Sequence, residues 1–284
     1  MSTSRSEHGF SIVELLAALG VIGITLASAV PFFALQARKM KGMSYRLEAQ
    51  QGMRAALDAM GRDIRLAGAC LPTSGKFIAL DGVDSALGDQ ITVRAGIVQS
   101  GTSCVKAGLT VAANAGDTSV TLADATPFAG TQLVFVSHPN GSGELQQVTG
   151  TSATNVNLAA GLSQAYPGPA APGNPSNPAN VIAVDERVYK LDKTDPNNPL
   201  LTLTVNRTAP QAFAVGVSDL QFQYTLNRNC TPCDVVNLPP DTATWWLVND
   251  VLITATITTT GTVRSEDKVT LVENTRAKPR NLLP

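Results

Sequence analysis

From Phe10 to Ala37 the chain reads FSIVELLAALGVIGITLASAVPFFALQA, apolar almost without interruption, with Glu14 as its single charge. Leu15–Leu35 carries no charge over 21 residues. As a helix this run reaches about 30 Å, the thickness of a hydrocarbon core, so the pattern predicts a membrane-spanning helix. The nine residues before it, MSTSRSEHG, are polar, and the switch at Gly9-Phe10 is abrupt. Farther on the period changes. Met53, Leu57, Met60, Ile64, Ala67 and Leu71 recur at alternating steps of four and three, one apolar face of a helix. No proline stands between Arg38 and Ala69, so the spanning helix is predicted to continue into this one, with Gly68 as its stop. The combined helix would hold about 60 residues and reach roughly 90 Å. Pro31 lacks an N–H and predicts a kink or local melting near Ala27–Pro31.

Beyond Leu71-Pro72 the pattern becomes that of strands separated by Gly, Asn and Asp turns. Short candidates are Gln90–Val93 and Gly96–Gln99. Leu109–Ala113, Ser119–Ala123, Gln132–Ser137, Glu144–Thr149 and Asn155–Ala159 follow at the spacing of a small all-β unit, read as a module over 107–165. Residues 166–180, YPGPAAPGNPSNPAN, hold five prolines and predict an extended surface linker. Strands resume at Val181–Leu191, Leu201–Asn206, Val217–Asn227, Asp250–Thr260 and Lys268–Glu273, before a short polar tail.

Composition narrows the function classes. Lys and Arg number 21 against 22 Asp and Glu, a net charge of −1, and charged residues are only 15% of the chain. That balance gives no basic surface for nucleic acid. Two histidines, His8 and His138, exclude a multi-histidine metal centre. Positive charge is local: seven Lys/Arg and three Asp/Glu lie between Arg38 and Arg65, so this part of the helix is basic. A basic amphipathic helix can lie on a membrane, but packing of its narrow, Met-rich face on the protein's own sheet is the favoured reading.

A secretory signal has an apolar region of roughly 7–15 residues, so this one is too long. Glu14 is also costly there, roughly 2.5–3.5 kcal/mol at mid-bilayer. The arrangement GFSIVE before a long apolar run resembles the prepilin signal of type IV pilins and type II secretion pseudopilins, and Pro31 matches a proline many of them carry. The resemblance implies cleavage by a prepilin peptidase after Gly9, N-methylation of the new N-terminal Phe10, and pairing of Glu14 with a neighbouring subunit's N-terminal cation. Glu14 lies about 6 Å along the axis from Phe10. The alternative reading places Glu14 at the membrane interface, tolerated by snorkelling. Arg38, Lys39 and Lys41 by themselves would put the C-terminal side in the cytoplasm. The resemblance implies the opposite orientation, and it is followed here.

Met60–Gly68, with its RDIRLAG run, resembles the end of the long helix in PilW-type minor pilins and the related GspJ-type pseudopilins. Val217–Tyr224 with Val251–Ile257 resembles the C-terminal strand pair of PilW-type proteins. The implied fold is α+β and pilin-like, a long N-terminal helix on an antiparallel β head. Its divisions are a leader at 1–9, an assembly helix at 10–37, an amphipathic helix at 38–70, a β head at 71–106 and 181–284, the inserted β module at 107–165 and the linker at 166–180. Implied partners are minor and major pilins, the prepilin peptidase and the inner-membrane assembly platform. The implied location is the inner membrane, single-pass with a periplasmic head, and then the surface pilus, whose uses include adhesion and twitching. Two further readings stay open: a GspJ-type pseudopilin, and a membrane-anchored periplasmic binding or adhesive domain with no filament role.

Candidate chemistry outside this signal is sparse. Cys70, Cys104, Cys230 and Cys233 allow three pairings. Cys70–Cys104, tying the helix end to the first loop, and Cys230–Cys233 are favoured over a redox CxxC or half a zinc site. Asp192–Asn198 is oxygen-rich enough for calcium but lacks EF-hand spacing, and a turn is the simpler reading. Trp245 and Trp246 on a strand would face opposite sides, leaving one free for a neighbouring subunit; a half-buried core aromatic is the simpler reading. His138 sits in a turn and receives no role. No nucleophile motif, P-loop or GxGxxG is present, so neither an enzyme, a cofactor nor a resident metal is expected.

Overall fold

The computed structural model describes residues 11–72, 77–86, 88–98, 103–130, 132–169, 177–196, 198–226, 234–241, 244–258 and 270–282. One helix, α1 (Ile12–Leu66), opens the chain. The chain divides into two compact units, with a boundary inside α1 between Glu48 and Ala49.

The second unit is a β head built around the last turns of α1. Met53, Ala56, Leu57, Met60, Ile64 and Ala67 are all buried, as the four-and-three spacing predicts. Gly68 ends the helix region for two reasons. Its φ is +78°, and a Cβ there would lie 2.8 Å from the Asn281 carbonyl oxygen. Its N–H donates to the Arg94 carbonyl at 2.9 Å, which fixes the helix end to the first sheet.

That sheet contains β1 (Leu80–Val83), β2 (Gln90–Gly96), β3 (Lys106–Gly108), β4 (Ser119–Thr121), β5 (Leu133–Ser137), β6 (Gly143–Thr151), β7 (Asn155–Leu158), β8 (Asn180–Asp192), β9 (Leu200–Val205) and β10 (Gln211–Val215). The main path runs β1-β2-β8-β5-β6-β7-β4, and every ladder is antiparallel. The long strand β8 organises it. Along one edge it takes β3 and then β2; along the other it takes β5 and then β9. Val181–Val184 is buried on both faces, whereas Asp185–Asp192 is only partly buried. The continuous apolar run Val181–Val184 therefore marks the stretch with a core on each side.

A second sheet, β12-β11-β13-β14, contains β11 (Val217–Leu226), β12 (Val235–Val236), β13 (Val248–Thr258) and β14 (Thr270–Ala277). Val251, Ile253, Ala255 and Ile257 alternate inward along β13 and join the cluster that includes Met53, Met60 and Ile64.

Segment 107–165 has its own apolar cluster, with Val120, Phe128, Val134, Val136 and Val156. Val181 and Ala183 of β8 belong to the same cluster. Because β5 lies in this segment and pairs along β8, the segment shares the head's main sheet rather than standing beside it.

Several local expectations are corrected. Leu109–Ala113 forms no strand, only isolated bridges from Leu109 to Leu122 and Ala113 to Tyr166. Successive N–H groups there go to different elements: Leu109 to Ala179 and Thr110 to Thr121. The stretch 166–180 is not wholly a surface linker. Tyr166 and Ala179 are buried, Tyr166 exchanges backbone hydrogen bonds with Ala113, and Ala179 donates to Pro167. Trp245 and Trp246 lie in a 3-10 turn, Thr244–Leu247, and not on a strand, so both rings are buried. Trp245 meets Tyr224 edge-on at 5.0 Å.

The helix is also held by charge. Asp63, 5% exposed, accepts the Tyr189 hydroxyl at 2.6 Å and the Arg187 guanidinium at 2.9 and 3.0 Å. Burial together with the neighbouring carboxylate pushes the Tyr189 phenol up. Asp63 thus joins α1 to β8 at the position where the RDIR run placed a charge. Asp89 is a second buried carboxylate, accepting the Phe222 N–H at 2.8 Å and the Ser85 N–H at 3.2 Å. Burial raises its pKa above the ordinary carboxylate value.

Asp63→Ala strands the Tyr189 hydroxyl and leaves Arg187, one-third exposed, without its best partner. The expected loss is about 2–3 kcal/mol. For a head of this size that is a fall in Tm on the order of 5–10 °C, read by near-UV circular dichroism of the full chain in detergent. An unchanged Tm would remove the network from the stability account.

Candidate assembly site

Among the described residues the helix begins two residues inside the polarity switch at Gly9-Phe10. Ser11 is the first described residue and Ile12 the first helical one. Its Oγ accepts the Val13 N–H at 3.3 Å, and Glu14 Oε2 accepts the Ser11 N–H at 3.2 Å. This is a capping box in which the carboxylate takes the Ser11 N–H and the hydroxyl takes the orphan N–H of Val13, one residue before Glu14. A first-turn carboxylate also gains from the helix dipole. Ser11-x-x-Glu14 before an apolar run was the signal for it, and sequence reasoning passed over it.

Glu14 therefore already has a local function, and the penalty of isolating it in lipid is smaller than a bare buried carboxylate implies. It makes no ion pair with any described residue. The carboxylate keeps a lone-pair capacity for a cation brought by another chain. Gly9 and Phe10, the expected cleavage and methylation positions, lie outside the described residues.

The apolar surface after Glu14 is uncovered. Leu15, Leu19, Ile24, Leu26, Val30 and Phe33 are all more than half exposed, and none of the most apolar window of α1 is buried. Around Pro31 the helix runs unbroken, so the melting expected at Ala27–Pro31 does not occur. One missing N–H is tolerated because the turns on either side remain bonded. Thr25 and Ser28 add side-chain bonds to the carbonyls of Val21, Ile22 and Thr25 just before it.

Cys70 and Cys104 form the expected disulfide, with Cα atoms 5.7 Å apart. It ties the chain just after α1 to the loop following β2. Gly96 is required beside it, since a Cβ there would lie 2.6 Å from the Cys70 Cβ. Cys230 and Cys233 lie outside the described residues.

The remaining candidates are turns. Asp192 accepts the N–H and hydroxyl of Thr194, which holds its carboxyl below the ordinary range. His138 Nδ1 accepts the Asn140 N–H at 3.2 Å. Among the described residues no three His, Cys, Asp or Glu converge as metal ligands.

The sequence matches no protein-family profile and no curated protein. Among solved structures it is similar to a type IV-like pilin from Thermus thermophilus, with a TM-score of 0.36 and 9% identity, covering 83% of this chain and 97% of that one. The role of the chain is accordingly read from its own N-terminal residues.

Glu14 has an observed cap and an expected pairing, and two substitutions separate them. Glu14→Gln preserves the cap, because glutamine serves at this position, but removes the charge. Glu14→Ala removes both. If the charge pairs with a neighbour, both variants stay in the membrane and both lose filament incorporation by roughly tenfold or more, a loss of at least about 1.4 kcal/mol in the pairing. A Gln variant that assembles normally would leave Glu14 only its cap.

Proposed function

We propose that this chain is a type IV minor pilin, most like the PilW type, cut after Gly9 and incorporated into the pilus initiation or tip complex. The observation that carries this reading is the coincidence of GFSIVE with a helix that starts at Ile12, places Glu14 in its first turn and leaves the following apolar surface uncovered. Cleavage would give Phe10 an α-amino cation one turn from Glu14. A carboxylate capped by its own helix and making no ion pair with any described residue selects, among many equally greasy helix contacts, the stagger that brings it a neighbour's cation.

Before assembly the chain would sit in the inner membrane with its head in the periplasm, where a Cys70–Cys104 disulfide is permitted. Its partners would be other minor and major pilins, the peptidase and the assembly platform. The role is structural and not enzymatic. The broad head, with 107–165 built onto its main sheet, suits a terminal subunit better than a repeating one that must pack side by side.

The test is the mass of the N-terminal peptide of the chain purified from membranes. The expected result is a peptide beginning at a methylated Phe10. An intact Met1, or a cut elsewhere, contradicts the reading. Co-purification with pilus subunits rather than secretion-system components then separates the PilW-like role from the GspJ-like one.

A further inference from the structure

The segment after the apolar run has properties of its own. Arg38, Lys39 and Lys41 are exposed and make no ion pair with any described residue. Met40, Met43 and Leu47 are 70%, 69% and 57% exposed. At 100° per residue those three side chains leave α1 within about 60° of one another, and the three cations leave it outside that sector. Exposed apolar side chains beside cations that pair with no described carboxylate suit a helix leaving the membrane through its interface.

Depth arithmetic puts the segment there. From Glu14 to Arg38 is 24 residues and to Lys41 is 27, or about 36 and 40 Å along the helix. A bilayer spans about 30 Å of hydrocarbon and about 40–45 Å with its headgroups. When Glu14 stands in the headgroup layer on one side, about 5 Å outside the hydrocarbon, the three cations fall in the headgroup layer on the far side. Their long stems can run along the acyl boundary while the charges stay wet.

We propose that residues 38–43 form an interfacial collar that binds anionic phospholipid headgroups of the leaflet on the head's side, and so sets the depth of α1. The inference rests on the membrane reading of the helix. The occupant is chosen by charge: three neighbouring cations with no carboxylate partner among the described residues, continuous with the membrane-spanning run, match a leaflet with net negative charge. The arrangement also gives a reason for positive charge on the side that charge-based topology rules disfavour. With Glu14 at one face and the collar at the other, the helix resists sliding in both directions.

The experiment reconstitutes the full-length chain into phosphatidylcholine vesicles, with or without phosphatidylglycerol. A water-soluble amine reagent is applied, and acetylation of Lys39 and Lys41 is followed by mass spectrometry. Lys278, exposed in the head, provides the reference rate. The expected result is that Lys39 and Lys41 react several-fold more slowly, relative to Lys278, in the anionic vesicles, and that added salt removes the difference. Equal relative rates in chains that float with both kinds of vesicle overturn the collar and leave the membrane span standing. Chains that float with neither overturn both.

Discussion

A helix that is apolar on every face cannot be satisfied by a sheet packed on one of them. From Ile12 to Leu35 this helix presents large side chains all round, while from Met53 onward only one stripe is apolar and the head covers it. Everything else follows from that contrast. The last third of α1 belongs to its own domain, secured by Gly68, by the Asp63 network and by the disulfide just beyond. The first third requires surroundings that the described residues do not supply, and lipid or other apolar helices are the two media that meet the need.

Lipid alone would not explain Glu14. The capping box shows how a carboxylate in this position remains inexpensive: its charge faces the positive end of the helix and one oxygen takes a backbone N–H. That arrangement lowers the cost of the carboxylate in apolar surroundings without using up the charge. On the proposed function, a partner cation would add a specific interaction to a non-specific one. In apolar surroundings, where packing hardly distinguishes one sliding register from the next, a single charge pair decides between them.

The long-period features of this architecture were legible in sequence because they repeat. The four-and-three spacing from Met53 identified the buried helix face, and the unbroken apolar run identified the exposed one. The strand runs read at Val217–Asn227 and Asp250–Thr260 form the central pair of the second sheet, with the second starting two residues earlier, at Val248. What escaped is non-periodic. β1 reads Leu-Asp-Gly-Val and looks like a turn; it becomes a strand because β2 lies beside it. Asp63 and Tyr189 are 126 residues apart, and nothing local announces their hydrogen bond. Trp245 and Trp246 would face opposite sides on a strand; a 3-10 turn sets them about 120° apart instead, and both are buried. The Ser11–Glu14 box was readable and was hidden behind a more specific motif that uses the same glutamate.

The central claim is that the exposed apolar third of α1 is completed by another helix of its kind. It is tested most directly by placing a photo-reactive residue at Leu26 of the full-length chain in cells and identifying what it captures on irradiation. The account predicts adducts joining the Leu26 peptide to the N-terminal apolar segment of another filament subunit, and their loss when Glu14 is neutralised. Adducts to lipid alone, unchanged by substitution at Glu14, would contradict it.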